Sequence, residues 1–155
     1  MMKYLRIGVA ALMISAAGLA VSATLNPAFA AKPEIYTRSG DIALGGYDAV
    51  SFFAKAPVKG VAGFQTTYKG ATFQFANAEN LAKFKAAPDK FAPQYGGYCA
   101  WAASQGKTAP ADPRYYRIVN GKLYLNFDAG VQQRWEKDIP GFITKADANW
   151  PKIIQ

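Results

Sequence analysis

The sequence predicts an α+β domain in which antiparallel β-hairpins pack against three or four short helices. Two patterns carry that reading. Runs rich in aromatic and β-branched residues alternate with period two around the dipeptides Lys69-Gly70 and Asn120-Gly121. Asn77 and Asp128, both good cap residues, stand just ahead of stretches with helical spacing.

In chain order, residues 1–30 have the pattern of a cleaved Sec-type signal peptide. Lys3 and Arg6 form a basic start, Ile7 to Leu25 is an uncharged apolar run, and Ala28-Phe29-Ala30 offers small residues at the positions a signal peptidase accepts. Asn26 and Pro27 break the run before it becomes a membrane span, and no basic stop-transfer cluster follows. The expected product is one soluble, periplasmic domain over residues 31–155.

Ala31 to Leu44 is expected to pack as an arm, extended around Glu34-Ile35-Tyr36. Gly45 and Gly46 permit a tight turn, after which Asp48 caps a short helix through Phe53; a strand is the rival reading because of Val50, Phe52 and Phe53. Pro57, Gly60 and Gly63 indicate a loop. The first hairpin covers 64–68 and 71–76, and the helix capped by Asn77 carries Leu81 and Phe84 and stops before Pro88. Asp89 to Tyr95 connects to a turn at Gly96-Gly97, followed by a helix from Tyr98 to Gln105 that Gly106 ends. The second hairpin places Asn120-Gly121 in a type I′ turn, where both residues need positive φ. Asp128 then caps a helix through Val131 and Trp135, and a last segment runs from Ile139 to Trp150. No internal repeat and no low-complexity tract stands out.

Composition excludes more chemistry than it supports. The 155 residues contain no His and one Cys, Cys99. That removes His-dependent catalysis and any internal disulfide, and the Met residues all lie in the leader at Met1, Met2 and Met13. The 18 Lys and Arg against 10 Asp and Glu leave a charge of +8. These charges are spread along the chain without Arg-rich or basic-aromatic clusters, so no nucleic-acid partner is expected.

The candidate site residues lie in the stretch Tyr95-Gly96-Gly97-Tyr98-Cys99-Ala100-Trp101-Ala102 and at Tyr47-Asp48. Cys99, near the start of a helix, could be a thiolate ligand for a soft metal, pair with another chain, or be a buried thiol filling the core among Tyr98, Ala100 and Trp101. Asp48 beside Tyr47 offers a carboxylate for a cation, or a plain helix cap. Tyr47, Tyr98 and Trp101 are the candidates for holding a flat or cationic ligand. Asp112-Pro113 reads as a turn.

The chain also resembles a known family. The segments are Gly46-Tyr47-Asp48-Ala49-Val50-Ser51-Phe52-Phe53; Tyr68-Lys69-Gly70 with Phe73-Gln74-Phe75; Phe84 with Pro88; and Pro93-Gln94-Tyr95-Gly96-Gly97-Tyr98-Cys99-Ala100. Asp112-Pro113, Gly121-Lys122-Leu123-Tyr124-Leu125-Asn126 and Asn149-Trp150-Pro151 complete the set. In this order and spacing they resemble the exported YHS-domain proteins of bacteria over nearly all of residues 31–155. The resemblance implies metal handling, because broader YHS domains accompany copper-transporting ATPases and multicomponent oxygenases. This chain lacks the His of the family's name and the paired Cys of the ATPase-linked versions.

Two readings follow. In the first, the chain is a periplasmic, non-enzymatic binding module for a metal ion or small ligand near Cys99 and Asp48. Copper is the expected metal, with a homodimer supplying a second Cys99, because soft sulfur selects Cu(I). In the second, it is a structural or protein-interaction module of the envelope, with Cys99 in the core and no metal.

Overall fold

Two backbone hairpins organise the chain, and their turns explain why. Lys69 and Gly70 have φ of 49° and 79°, and Asn120 and Gly121 have 50° and 72°. Such left-handed pairs match the twist of the flanking strands. The computed structural model describes residues 30–54 and 56–155. The leader expected over 1–30 lies outside these residues, apart from Ala30.

The first hairpin pairs β1 (Val61–Tyr68) with β2 (Ala71–Phe75), and the second pairs β3 (Asp112–Val119) with β4 (Lys122–Asn126). They form two separate antiparallel sheets. The helices are α1 (Ala78–Ala86), α2 (Pro88–Phe91), α3 (Ala100–Ser104), α4 (Ala129–Glu136) and α5 (Ile139–Asn149), so the architecture is α+β in a single domain. The Asn77 side chain accepts from the Asn80 N–H, and that of Asp128 from the Val131 N–H. Each such cap contributes about 1 kcal/mol.

The segment after Asp48 is helical, as expected, but only as a 3-10 turn over Ser51–Ala54. Two expectations need correction. β1 begins at Val61, inside the presumed loop, because a bulge between Val61 and Gln65 absorbs the irregularity around Gly63. The presumed connector after Pro88 contains α2, with Pro88 in the first turn, where a missing N–H costs nothing.

A larger correction concerns repetition. Residues 42–86 and 93–137 are two copies of one unit, each residue of the second lying 51 positions after its counterpart: Val61 and Asp112 open the first strands, Ala71 and Lys122 the second, Ala78 and Ala129 the helices. Both units begin with a left-handed turn, at Leu44, Gly45 and Gly46 and at Tyr95, Gly96 and Gly97. The bulge between Val61 and Gln65 recurs between Asp112 and Tyr116. The Ile42–Thr72 bridge recurs as Pro93–Leu123, and the Asp48 N–H bond to the Val58 carbonyl as Cys99 to Ala109. Few side chains repeat beyond Gly45/Gly96, Gly46/Gly97, Tyr47/Tyr98, Ala49/Ala100 and Gly70/Gly121.

The units share a core. Phe52, Phe73, Phe75 and Phe84 of the first pack in one cluster with Cys99, Leu123, Leu125 and Val131 of the second. A second cluster centres on Trp135, Tyr124, Tyr95 and Ala146 and joins the second unit to α5. The arm lies against the second unit, where the Tyr36 N–H donates to the Gly96 carbonyl at 2.8 Å.

Candidate functional site

The turn after each Gly-Gly-Tyr motif forms a cradle of backbone N–H groups. In the first unit it holds Asp48, which is fully buried. One carboxylate oxygen accepts from the Val50 N–H at 2.8 Å and the Ser51 N–H at 3.3 Å. The other accepts from the Ala76 N–H at 2.9 Å and from Asn80 Nδ2 at 2.7 Å. The donors come from three parts of the unit, so the carboxylate ties the 3-10 turn to the end of β2 and to α1. A buried charge is tolerable on these terms because hydrogen bonds replace its hydration.

In the second unit the equivalent position is Cys99, 1% exposed and the N-cap residue of α3. Burial pushes its thiol up, against the pull of the backbone N–H groups of Ala102, Phe127 and Trp101. These three stand 51 positions after Ser51, Ala76 and Val50. The sulfur also lies 3.7 Å from Asn126 Oδ1, and the Asn126 Nδ2 is buried without a partner.

The remaining candidates point elsewhere. Tyr98 is buried, its ring 5.3 Å from that of Tyr36, and its hydroxyl donates to the Pro33 carbonyl at 2.9 Å. Burial first and the neighbouring Tyr36 second raise its phenol above the ordinary tyrosine value. Trp101 is half-buried beneath the Arg134 guanidinium, 5.4 Å from its ring centroid. Tyr47 lies under the Lys59 ammonium, 4.0 Å from the ring centroid, on the wall of a cleft.

That cleft has a volume of about 600 Å³. It lies between the two units: three pairs of equivalent residues line it, Gly46 with Gly97, Gly60 with Ala111, and Gln74 with Leu125. Neither Cys99 nor Asp48 is among its lining residues. Its charged groups are Arg38, Lys59, Arg114 and Asp112. Asp112 opens β3 instead of serving as a free turn carboxylate. Both its oxygens accept from Arg114, through Nε at 3.0 and 3.1 Å and Nη2 at 2.7 Å, and Arg38 Nη2 lies 3.9 Å away. The hydrogen bond from Arg114 is the main reason the Asp112 carboxyl is held below its usual range.

Sequence reasoning found Tyr47 but missed Arg38, Lys59 and Arg114, which are far apart along the chain. The repeated Gly-Gly-Tyr pair was the available signal, since a duplicated turn marks where two units face each other.

A metal ion finds a poor donor set in this arrangement. Among the described residues no three Cys, Asp, Glu or His side chains cluster. The Asp48 oxygens are taken by four donors, and the Cys99 sulfur is enclosed in the core as the thiol. No described helix is long and apolar enough to cross a membrane.

Comparison with known proteins gives one result. The model of the YHS domain matches residues 49–95, which supports a YHS-domain-containing protein. The matched segment coincides with most of the first unit and contains none of Tyr47, Asp48, Tyr98, Cys99 and Trp101. The YHS domain is non-enzymatic and is associated with metal binding, copper in particular. No curated protein and no solved structure matches the chain significantly.

Proposed function

From a YHS match that covers most of the first of two units, we propose that this chain is a non-catalytic binding module, exported by its leader and acting in the periplasm as residues 31–155. In this reading Cys99 is a core thiol and no metal is bound. One observation carries it: the thiol occupies the cradle that Asp48 fills in the first unit, a position that locks the turn to the strand and helix of its own repeat. The equivalence makes Cys99 a structural replacement for a structural carboxylate.

A second reading is favoured by the YHS match itself, namely a copper module in which Cys99 residues of two copies share one Cu(I). It requires each sulfur to leave the core, because the residue is 1% exposed.

A Cu(I) competition titration of the reduced protein beside Cys99→Ser separates the readings, with mass measured in solution. The expected result is no stoichiometric copper in either protein, and a thiol that reacts with a disulfide reagent only after denaturant is added. One copper per two chains, lost in Cys99→Ser, establishes the copper reading and overturns ours.

A further inference from the structure

We propose that the cleft between the two units binds a small organic anion. Its oxyanion head is held by Lys59, Arg38 and Arg114, and its body lies against Tyr47 and the backbone of Gly46 and Gly97. This proposal rests on the binding-module reading above and supplies its ligand class.

Charge decides the sign of the ligand. Three cations line the cleft against one carboxylate, Asp112, and that carboxylate is already engaged by Arg114 through both oxygens. Two positive charges therefore remain uncompensated at the cleft. Donors remain too. The Lys59 ammonium gives one hydrogen to the Gly45 carbonyl and keeps two, and Arg38 makes only the long 3.9 Å approach to Asp112. Asp112 holds the Arg114 fork in place, so that its remaining N–H groups are oriented before any ligand arrives.

Shape decides the size. About 600 Å³ is far more than an inorganic ion needs and falls within the range of small-molecule sites. Gly46 and Gly97 line the cleft with backbone, both in the left-handed region with φ of 81° and 84°, where a side chain would be strained. Tyr36 and Tyr47 supply aromatic walls, and Leu44, Ala111 and Leu125 an apolar base. A flat or apolar body with one anionic head matches this combination. The location fits as well: pockets form where two units meet because neither fills the gap alone.

The test is a titration followed through backbone amide NMR shifts, with phenyl phosphate as probe, inorganic phosphate as the head alone and benzyl alcohol as the body alone. Phenyl phosphate is expected to give saturable shifts at Gly45, Gly46, Gly60, Gly97 and Ala111, and to bind about tenfold tighter than either fragment. The double variant Lys59→Ala/Arg38→Ala, altering two exposed side chains, is expected to weaken it by about tenfold or more. Lys83→Ala, on α1 and outside the cleft, is expected to leave it unchanged. Shifts that do not saturate, that spread over exposed Lys and Arg residues, or that persist in the double variant overturn the proposal. If phenyl phosphate fails while the copper titration is also silent, the anion site falls and the module reading stands. If copper binds through Cys99, that reading itself falls.

Discussion

The two units build the same backbone cradle and fill it differently. Around Asp48 the cradle is a polar lock, with four donors converging on a carboxylate that has no contact with water. Around Cys99 the backbone N–H groups of Trp101, Ala102 and Phe127 stand at the equivalent positions, but that of Trp101 donates to Asn126 Oδ1 at 3.3 Å, and the fourth donor is gone, because Val131 stands where Asn80 stands in the first unit. A thiol is a weak acceptor and makes little demand on a missing donor, whereas a carboxylate in the same place requires every one. The difference shows that the backbone of a repeat can be kept while its chemistry changes, provided the partners change together. Asn80 and Asp48 form one such pair, and Val131 and Cys99 the other.

The largest effect is expected from breaking the lock. Asp48→Ala strands four donors and should cost about 3 kcal/mol or more, or prevent folding altogether, as read by urea denaturation. Cys99→Ala removes a weaker partner from the equivalent site and should cost less in the same assay. A Cys99 variant as damaging as the Asp48 one would end the contrast.

A transplant sharpens it. Cys99→Asp meets backbone N–H groups of which Trp101's is already engaged by Asn126, lacks the amide, and should lose about 1–3 kcal/mol. Adding Val131→Asn is expected to recover a good part of that loss, a coupling that a double-mutant cycle measures directly. Simple additivity would mean that the two cradles are not equivalent in energy.

A smaller effect concerns alkaline pH. Because burial holds the Cys99 thiol above its ordinary value, the folded state keeps the proton longer than the unfolded chain does. The associated stability is complete below about pH 8.5 and is lost as pH rises through the higher folded value. Thermal melts of the protein should therefore begin to fall as pH rises above about 8.5, and those of Cys99→Ser should stay flatter there. At higher pH still, the buried phenols of Tyr95, Tyr98 and Tyr124, also raised mainly by burial, add losses of the same sign in both proteins.

The smallest effect separates the units at their first strand positions, where Val61 is exposed and Asp112 is buried against Arg114. Asp112 is held low, so its contribution is present above about pH 4 and is lost as pH falls through the lower folded value. Arg114→Gln should lower the melting temperature slightly at neutral pH, where the contribution is present, and the two proteins should converge as pH falls below about 4. A difference from the unaltered protein that is the same at neutral and at acid pH would remove Arg114 as the reason for the shift.

Much of the local structure was legible. Asn120-Gly121 announces its hairpin because few other pairs adopt two positive φ values at low cost, and Asn77 and Asp128 announce helices because their side chains satisfy free N–H groups. Asp48 was legible as a cap, but not as a tie to Ala76 and Asn80, which lie 28 and 32 residues away. The start of β1 was hidden by Gly60 and Gly63. Gly60 is required there because a Cβ would stand 2.3 Å from the Gln74 backbone, a closeness that no single-chain pattern reveals.

The duplication was hidden for a related reason. What the units share is largely what the backbone requires, the glycines of their turns and one tyrosine, while the core positions exchanged Phe73 for Tyr124, Phe75 for Asn126 and Phe84 for Trp135. Different side chains fill the same cradle and core because each needs only the right volume and satisfied polar atoms.

By itself the sequence determined the class of the fold, its hairpins and caps, and the absence of histidine and disulfide chemistry, because turn geometry, capping and composition are local or countable. The tertiary structure alone decided that Cys99 is buried at the position equivalent to Asp48, and that Tyr47, Lys59, Arg38 and Arg114 share a cleft. Both depend on contacts between units whose residues lie far apart in the chain, and such contacts leave no spacing in the sequence to read.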